Sequence, residues 1–528
     1  MTSSSQSQDK DALLDKLYSL PCSTGVLQLP GPTHESAEAL VEILRQNRWE
    51  HQLFFVGEDG ENRYNYSTHH VLAIYALGAS PEIMTEAYGT HERLKPMVES
   101  PEPITDKNYL DHLGDQRYYA GYLAYFSEYL VHHTPGEALE HFILTLPANF
   151  VLNLNYIIAQ DKKRGGEGKK KHPEMLNRLL AGHAFPFIHL AYGWELGIPG
   201  QIAEGLAVAA VYANEQSEVV PQSLFGRARE PIHIMGRFML PLVPRRTPVF
   251  HEKRPTFTLL SRIQDHPKFA DDAIGSPGEE RRRYPDILKS TGDAITELVN
   301  KWTEEWLEGT RNEADVEKRL EGMVEEVIWG NVICFGIGGW NSRDSGQPFK
   351  ADFSMMSLVT SAYFLLALVL PSRNVPYPSL SLSNRLTLFK AYVLTCAGRY
   401  ISHGQRGALH IEEFFSTTRE QLTAPAMVQP LPFMSRKALS ARSGPWERII
   451  TNSIVHPDAH LPSTTRALAA FGVRWGDRSP GYFAGGDSGL KDREALDGTL
   501  FVRVAGLMMN RLGWAHESGH ELGQWDRE

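Results

Sequence analysis

The stretch TGDAITELVNKWTEEW (residues 291–306) decides the fold. Ile295, Leu298, Val299, Trp302 and Trp306 recur at three- and four-residue steps, which puts all five on one stripe of a helix. The same period runs through most of the chain, with recognisable ends. Ser80-Pro81-Glu82 places a cap, a first-position proline and an acid in order. Thr134-Pro135-Gly136-Glu137 repeats the device with Glu137 set for a capping box. Gly78 and Gly197 read as helix stops. Alternating strand patterns are scarce, and no repeat of constant period is present. The expectation is an all-α protein. Its parts are a disordered lead (1–15), one large helical catalytic domain (16–515) with long Pro/Gly-rich loops around a buried pocket, and a charged tail (516–528). The long loops are placed at 242–255 and 424–480, and a basic surface loop (KKRGGEGKKK) at 162–171.

Composition narrows the class. The 528 residues are 42% hydrophobic and 22% charged, which is ordinary globular usage and excludes disorder for most of the chain. A net charge of −10 argues against a nucleic-acid partner. Three scattered cysteines, Cys22, Cys334 and Cys396, make no disulfide framework or thiolate zinc site, and with no signal peptide they fit a reducing, cytoplasmic setting. Residues 353–370 are uncharged and just long enough to span a bilayer. Their four hydroxyl residues and Pro371 favour a buried core helix, so no membrane partner is expected.

Cofactor motifs are missing. The sequence holds no phosphate-binding P-loop, no GxGxxG dinucleotide fingerprint and no GxSxG elbow. The glycine run at 335–339 is read as a turn. His516-Glu517-Ser518-Gly519-His520 matches the HExxH zinc motif, but no Met-containing turn follows it and Gly519 weakens the required helix, so it is assigned to the tail.

Three segments carry candidate chemistry. Tyr66 precedes His69 and His70 at the start of an apolar helix, where the helix dipole keeps an imidazole neutral and available as a base. His189, Tyr192 and Glu195 follow along one side of a second helix, with Pro186 kinking its start. A histidine between a phenol and a carboxylate is suited to proton transfer, or to a satisfied core network. Around Asp352, Met356 and Ser357, polar side chains on a very apolar helix must either face a cavity or bond back to their own backbone.

Together these segments resemble the questin oxidase-like family. The residues that carry the likeness are Asn65, His69, His70, Tyr75, Leu77, Gly78, Ala79 and Ser80, then Pro186, Ile188, His189, Tyr192, Gly193 and Glu195, then Asp352, Phe353, Met356, Thr360 and Ser361. The region around Tyr400 to Leu409 adds to it. Tyr66, Phe185 and Ser357 stand where the family pattern has histidines. Phe cannot bind a metal and Ser does so poorly, so the chain resembles the metal-free branch, whose Baeyer–Villiger oxidases act in the emodin-derived monodictyphenone pathway.

That resemblance implies a fungal oxygenase for an aromatic polyketide of the reduced emodin type, forming a lactone with O2 and without flavin or metal. It implies His69, His189 and Tyr66 as catalytic residues. It implies His70, Phe185, Tyr192, Trp194, Asp352, Met356 and Ser357 as substrate contacts. A separate NADPH-dependent reductase would supply the hydroquinone. Two other readings stand beside it. One is an iron dioxygenase cleaving the aromatic ring, using His69, His70, His189 and further ligands not identified from the sequence; the other is a non-catalytic polyketide-binding protein. Monomer and homodimer are both open.

Overall fold

In the computed structural model the residues of the opening stretch lie in a helix, Tyr284–Leu307, that buries Ile295, Val299, Trp302 and Trp306 against the helix Leu382–Ser402. The structure describes residues 13–151, 172–226, 253–403, 409–418, 445–514 and 522–526, leaving out 24, 28, 30, 58–61, 92–93, 214–216, 218–219, 271–272, 274–283, 344–345 and 486–488. The fold is all-α. Its one sheet among the described residues is a two-stranded pair, Phe54–Val56 antiparallel to Asn62–Tyr64.

Six helices position the site: α1 (Ser67–Leu77), α2 (Met175–Leu196), α3 (Pro199–Val211), α4 (Glu313–Val332), α5 (Phe353–Tyr363) and α6 (Leu461–Trp475). Helix α2 is the centre, packed on α1, α3 and α5, while α6 lies against α1 and α5. The closest approach is between α2 and α3. A Cβ on Gly205 would fall 2.7 Å from the Leu190 backbone nitrogen, so only glycine lets the two helices meet there. Gly78 and Gly197 end α1 and α2 in the left-handed conformation, and Thr134 and Glu137 form the capping box.

Three sequence expectations fail. The lead is not disordered as far as residue 15, because Leu13 to Leu17 is helical with Leu14 and Leu17 buried; residues 1–12 lie outside the described ones. Residues 445–475 are not loop, because Pro445–Ile454 and α6 occupy most of them. The α6 pattern was hidden because Ser463, Thr464, Thr465 and Arg466 are buried beside its apolar residues. Pro462 sits in the first turn, where its missing N–H costs nothing. The glycine run is not a turn either. It continues α4 as one wide helical turn (Ile333–Ile337) and a short helix. Gly336 is required there because a Cβ would overlap the Val504 side chain.

The uncharged segment 353–370 breaks at Phe364 into α5 and Leu365–Leu368, nearly all of it buried. No helix among the described residues is long and apolar enough to cross a membrane. The basic stretch 162–171, the loop portions 242–252 and 424–444, and His516 to His520 lie outside the described residues.

Candidate active site

Helix α1 begins where Asn65 accepts the Ser67 N–H through its side chain (3.0 Å), which leaves His69 and His70 within the first turn and a half. Helix α2 is interrupted where Gly182, His183 and Ala184 all take positive φ of 55–60°. Three consecutive left-handed residues are costly for anything but glycine, and the turn they make carries His183 and Phe185 to one cavity. Pro186 then opens the second half of the helix. On α5, Phe353, Met356, Ser357 and Thr360 share one face at i, i+3, i+4 and i+7.

These three elements and the start of α6 border a partly open pocket with ≈ 380 Å³ of empty space, solvent at its mouth included. Tyr66, His69, Phe185, Ile188, Met356 and Thr360 line it together with Ser357, Phe353, His183, His460 and Ser463. The rings form an aromatic box. Phe185 stacks on His69 (centroids 4.7 Å apart, planes at 30°), and His460 meets Tyr66 edge-on at 4.2 Å and Phe353 at 4.9 Å.

His69 Nε2 lies 3.1 Å from His189 Nδ1, and His189 Nε2 lies 2.8 Å from Glu204 Oε2. His69 Nδ1 has no hydrogen-bond partner among the described residues. Burial, helped by the neighbouring His189 and His460, pushes the His69 pKa well below 6.5, so the ring is neutral at neutral pH. The carboxylate that serves His189 is therefore Glu204 of α3, not Glu195. Glu195 instead accepts from Arg466 Nη2 (2.7 Å), the Val26 N–H (2.7 Å) and the Tyr363 hydroxyl. The sequence reading placed Glu195 beside His189; the structure places Glu204 there, because the α2–α3 contact is tertiary.

Of the residues singled out from sequence, Tyr66, His69, Phe185, Met356 and Ser357 line the cavity. His189 stands one ring behind it. Tyr192 is just outside, its hydroxyl 2.9 Å from Ser463 Oγ. The structure places three others away from the cavity. His70 turns to His91, with 3.2 Å between Nδ1 and Nε2. Trp194 donates its N–H to the Ala367 carbonyl (3.2 Å). Asp352 caps α5 by accepting the Met355 N–H (2.9 Å) and pairs with His403 (3.3 Å). Burial raises the Asp352 pKa, but His403 and the Met355 N–H outweigh it and hold the carboxyl below its usual range. Sequence reasoning missed His460, His183 and Glu204. The proline at the first position of α3 could have flagged Glu204's helix; nothing local flagged His460.

The three histidines named in the iron reading do not converge on one point. His69 and His189 spend a nitrogen on each other, and His70 faces His91. Among the described residues no three His, Cys, Asp or Glu side chains are grouped to hold a metal ion.

An all-helical fold around a partly open aromatic pocket, with a neutral histidine at its wall, frames a small-molecule binding or acid–base site. Comparison with known sequences gives the particular group. The sequence pattern of the questin oxidase-like family matches residues 64–468, and the chain belongs to that family. It is 23% identical to the questin oxidase of Aspergillus terreus over 469 residues, 87% of this chain and 85% of that protein. It is 26% identical to a Baeyer–Villiger oxidase of Paecilomyces divaricatus, over 66% of this chain and 65% of that one. A Baeyer–Villiger monooxygenase of a Cryptosporiopsis species matches at 24%, over 66% and 67%. These names put the chain among oxidoreductases.

Proposed function

We propose that the chain is a Baeyer–Villiger oxygenase of a reduced anthraquinone, of the emodin hydroquinone type, working without flavin or metal. One observation carries the reading: the neutral His69, whose Nδ1 has no partner among the described residues, on the wall of an aromatic pocket. The names of the relatives support the reaction class.

The electrons come from the substrate. The hydroquinone and O2 give the lactone and one water. One oxygen atom enters a ring C–C bond and the other leaves as water. Two electrons come from the hydroquinone and two from the bond that is oxidised. His69 Nδ1 takes a phenol proton, which makes the ring electron-rich enough to reduce O2. Tyr66 donates a hydrogen bond to the oxygen adduct, and the aromatic box holds the ring in attack geometry and excludes water. A separate reductase supplies the hydroquinone, and the lactone opens in a later step.

The test is oxygen uptake by chelated protein on anaerobic-to-aerobic mixing with chemically reduced emodin. Lactone formed at less than about one-tenth metal per chain, the level of adventitious binding, supports the proposal. Activity that disappears on chelation and returns with iron overturns it.

A further inference from the structure

The cavity histidine is the visible end of a buried line of four side chains. His69 meets His189, His189 meets Glu204, and Glu204 Oε1 accepts the Tyr18 hydroxyl. Gln201 Nε2 also donates to Glu204 Oε2 at 3.1 Å. Tyr18, His189, Gln201 and Glu204 are all 0% exposed. Glu204 thus accepts three donors and is built to hold a negative charge without water. That fixes the tautomers behind it. His189 carries its proton on Nε2, toward Glu204. His189 Nδ1 then accepts, so His69 donates through Nε2, and the lone pair on His69 Nδ1 is left for the cavity.

We propose that Glu204 and Tyr18 are positioning residues that set the basicity of His69 through His189. The inference rests on the reading of the cavity as the place where a phenol is deprotonated. Glu204 strengthens the base by stabilising the cation that forms when His69 takes a proton. Tyr18 weakens it by donating into the same carboxylate and holding part of its charge. Burial, then the Glu204 charge, raises the Tyr18 pKa well above 10, so the phenol stays a donor. The other titratable or charged groups in reach are His460, which faces His69 across the cavity, Arg48, which lies 5.7 Å from the Tyr18 ring centroid and also feels the Glu204 charge, and the phenols of Tyr119 and Tyr88, whose pKa values burial and the Glu204 charge raise.

The two residues therefore act with opposite sign, which a merely structural role would not produce. The probe is oxidised emodin, which lacks the two electrons that turnover needs and whose visible band reports phenol ionisation. Its apparent phenol pKa is titrated when bound to wild type, Glu204→Gln and Tyr18→Phe. Glu204→Gln should raise it by about one unit, a tenfold loss of ionisation. Tyr18→Phe should lower it by a smaller amount. Shifts in the same direction, or none, overturn the proposal. If Glu204→Gln does not fold, Tyr18→Phe decides alone: a fall supports the relay, and no change or a rise overturns it. If emodin binds none of the three proteins, the substrate reading fails, and the ring 15N shifts of His69 and His189 decide the relay separately. Protons on Nε2 of both rings support it; a proton on Nδ1 of His189 overturns it.

Discussion

His69 Nε2 and His189 Nδ1 are 3.1 Å apart, so a single bond joins a ring on the cavity wall to a ring with no solvent exposure. Removing either ring should cost catalysis in different ways. His69→Ala deletes the base itself and should lower kcat by about 10²–10⁴-fold, the usual worth of a positioned general base. His189→Ala leaves that base in place but free to turn and take the wrong tautomer, so kcat should fall with KM little changed. Oxygen uptake with reduced emodin measures both, and undiminished turnover in either variant removes that residue from the mechanism.

The pH dependence of turnover follows from the same burial. The pKa of His69 is held well below 6.5 by desolvation, with His189 and His460 adding to it. A base with a lowered pKa stays unprotonated further into acid. The rate kcat/KM should therefore be flat through pH 6.5 and fall only below it. An acid limb centred at or above 6.5 in folded enzyme would contradict this.

His70 makes a second, separate use of acid. Its pKa is lowered to about 3, first by burial and then by His91. The unfolded chain binds this proton near pH 6.5 and the folded chain does not until about 3, so stability is intact above 6.5 and is lost as pH falls. The slope is about 1.4 kcal/mol per pH unit for one such histidine. His70→Asn should flatten the fall of denaturation midpoint between pH 6.5 and 4. An unchanged slope would show that the proton is taken up elsewhere.

How much of this was readable in the sequence depends on range. The stripe in Tyr284–Leu307, the capping box at Thr134 and the glycine stops at 78 and 197 are local patterns, and they were legible. His69, Tyr66 and Met356 were legible through the family likeness. Glu204 was not, because nothing local tells a buried carboxylate on α3 from an exposed one; the Gly205 contact with Leu190 decides that. Helix α6 was lost because its buried face mixes Ser463, Thr464, Thr465 and Arg466 with apolar residues, which erases the hydrophobic period.

Arg466 is on that hidden face, and its pairing gives a stability prediction. Arg466 and Glu195 are 1% and 0% exposed at the side chain, 2.7 Å apart. Glu195 Oε2, Arg466 Nε and Arg466 Nη1 have no hydrogen-bond partner among the described residues. Breaking such a pair leaves a buried charge, so Glu195→Ala should cost about 3–5 kcal/mol by denaturant unfolding. The double change Glu195→Leu with Arg466→Met should recover most of it. A double variant no more stable than the single one would mean that the pair itself, not the stranded charge, holds α2 to α6.

The last described residues also bear on the cavity. Trp525 donates its N–H to Asp458 Oδ1 at 3.0 Å, and that same oxygen accepts the backbone N–H of His460. Asp526 accepts the Ala351 N–H (2.7 Å) and the Arg511 guanidinium (2.7 Å), while its carbonyl accepts the Phe353 N–H (3.1 Å). One short segment thus ties together the starts of α5 and α6, which present Phe353 and His460 to the cavity. Asp526→Ala should cost about 1–3 kcal/mol of stability, because it strands a backbone donor. Trp525→Phe should cost about 1 kcal/mol, the worth of a single hydrogen bond, and raise KM for the hydroquinone by loosening His460. If KM is unchanged in both variants while stability falls, the segment only packs against the body and does not shape the site.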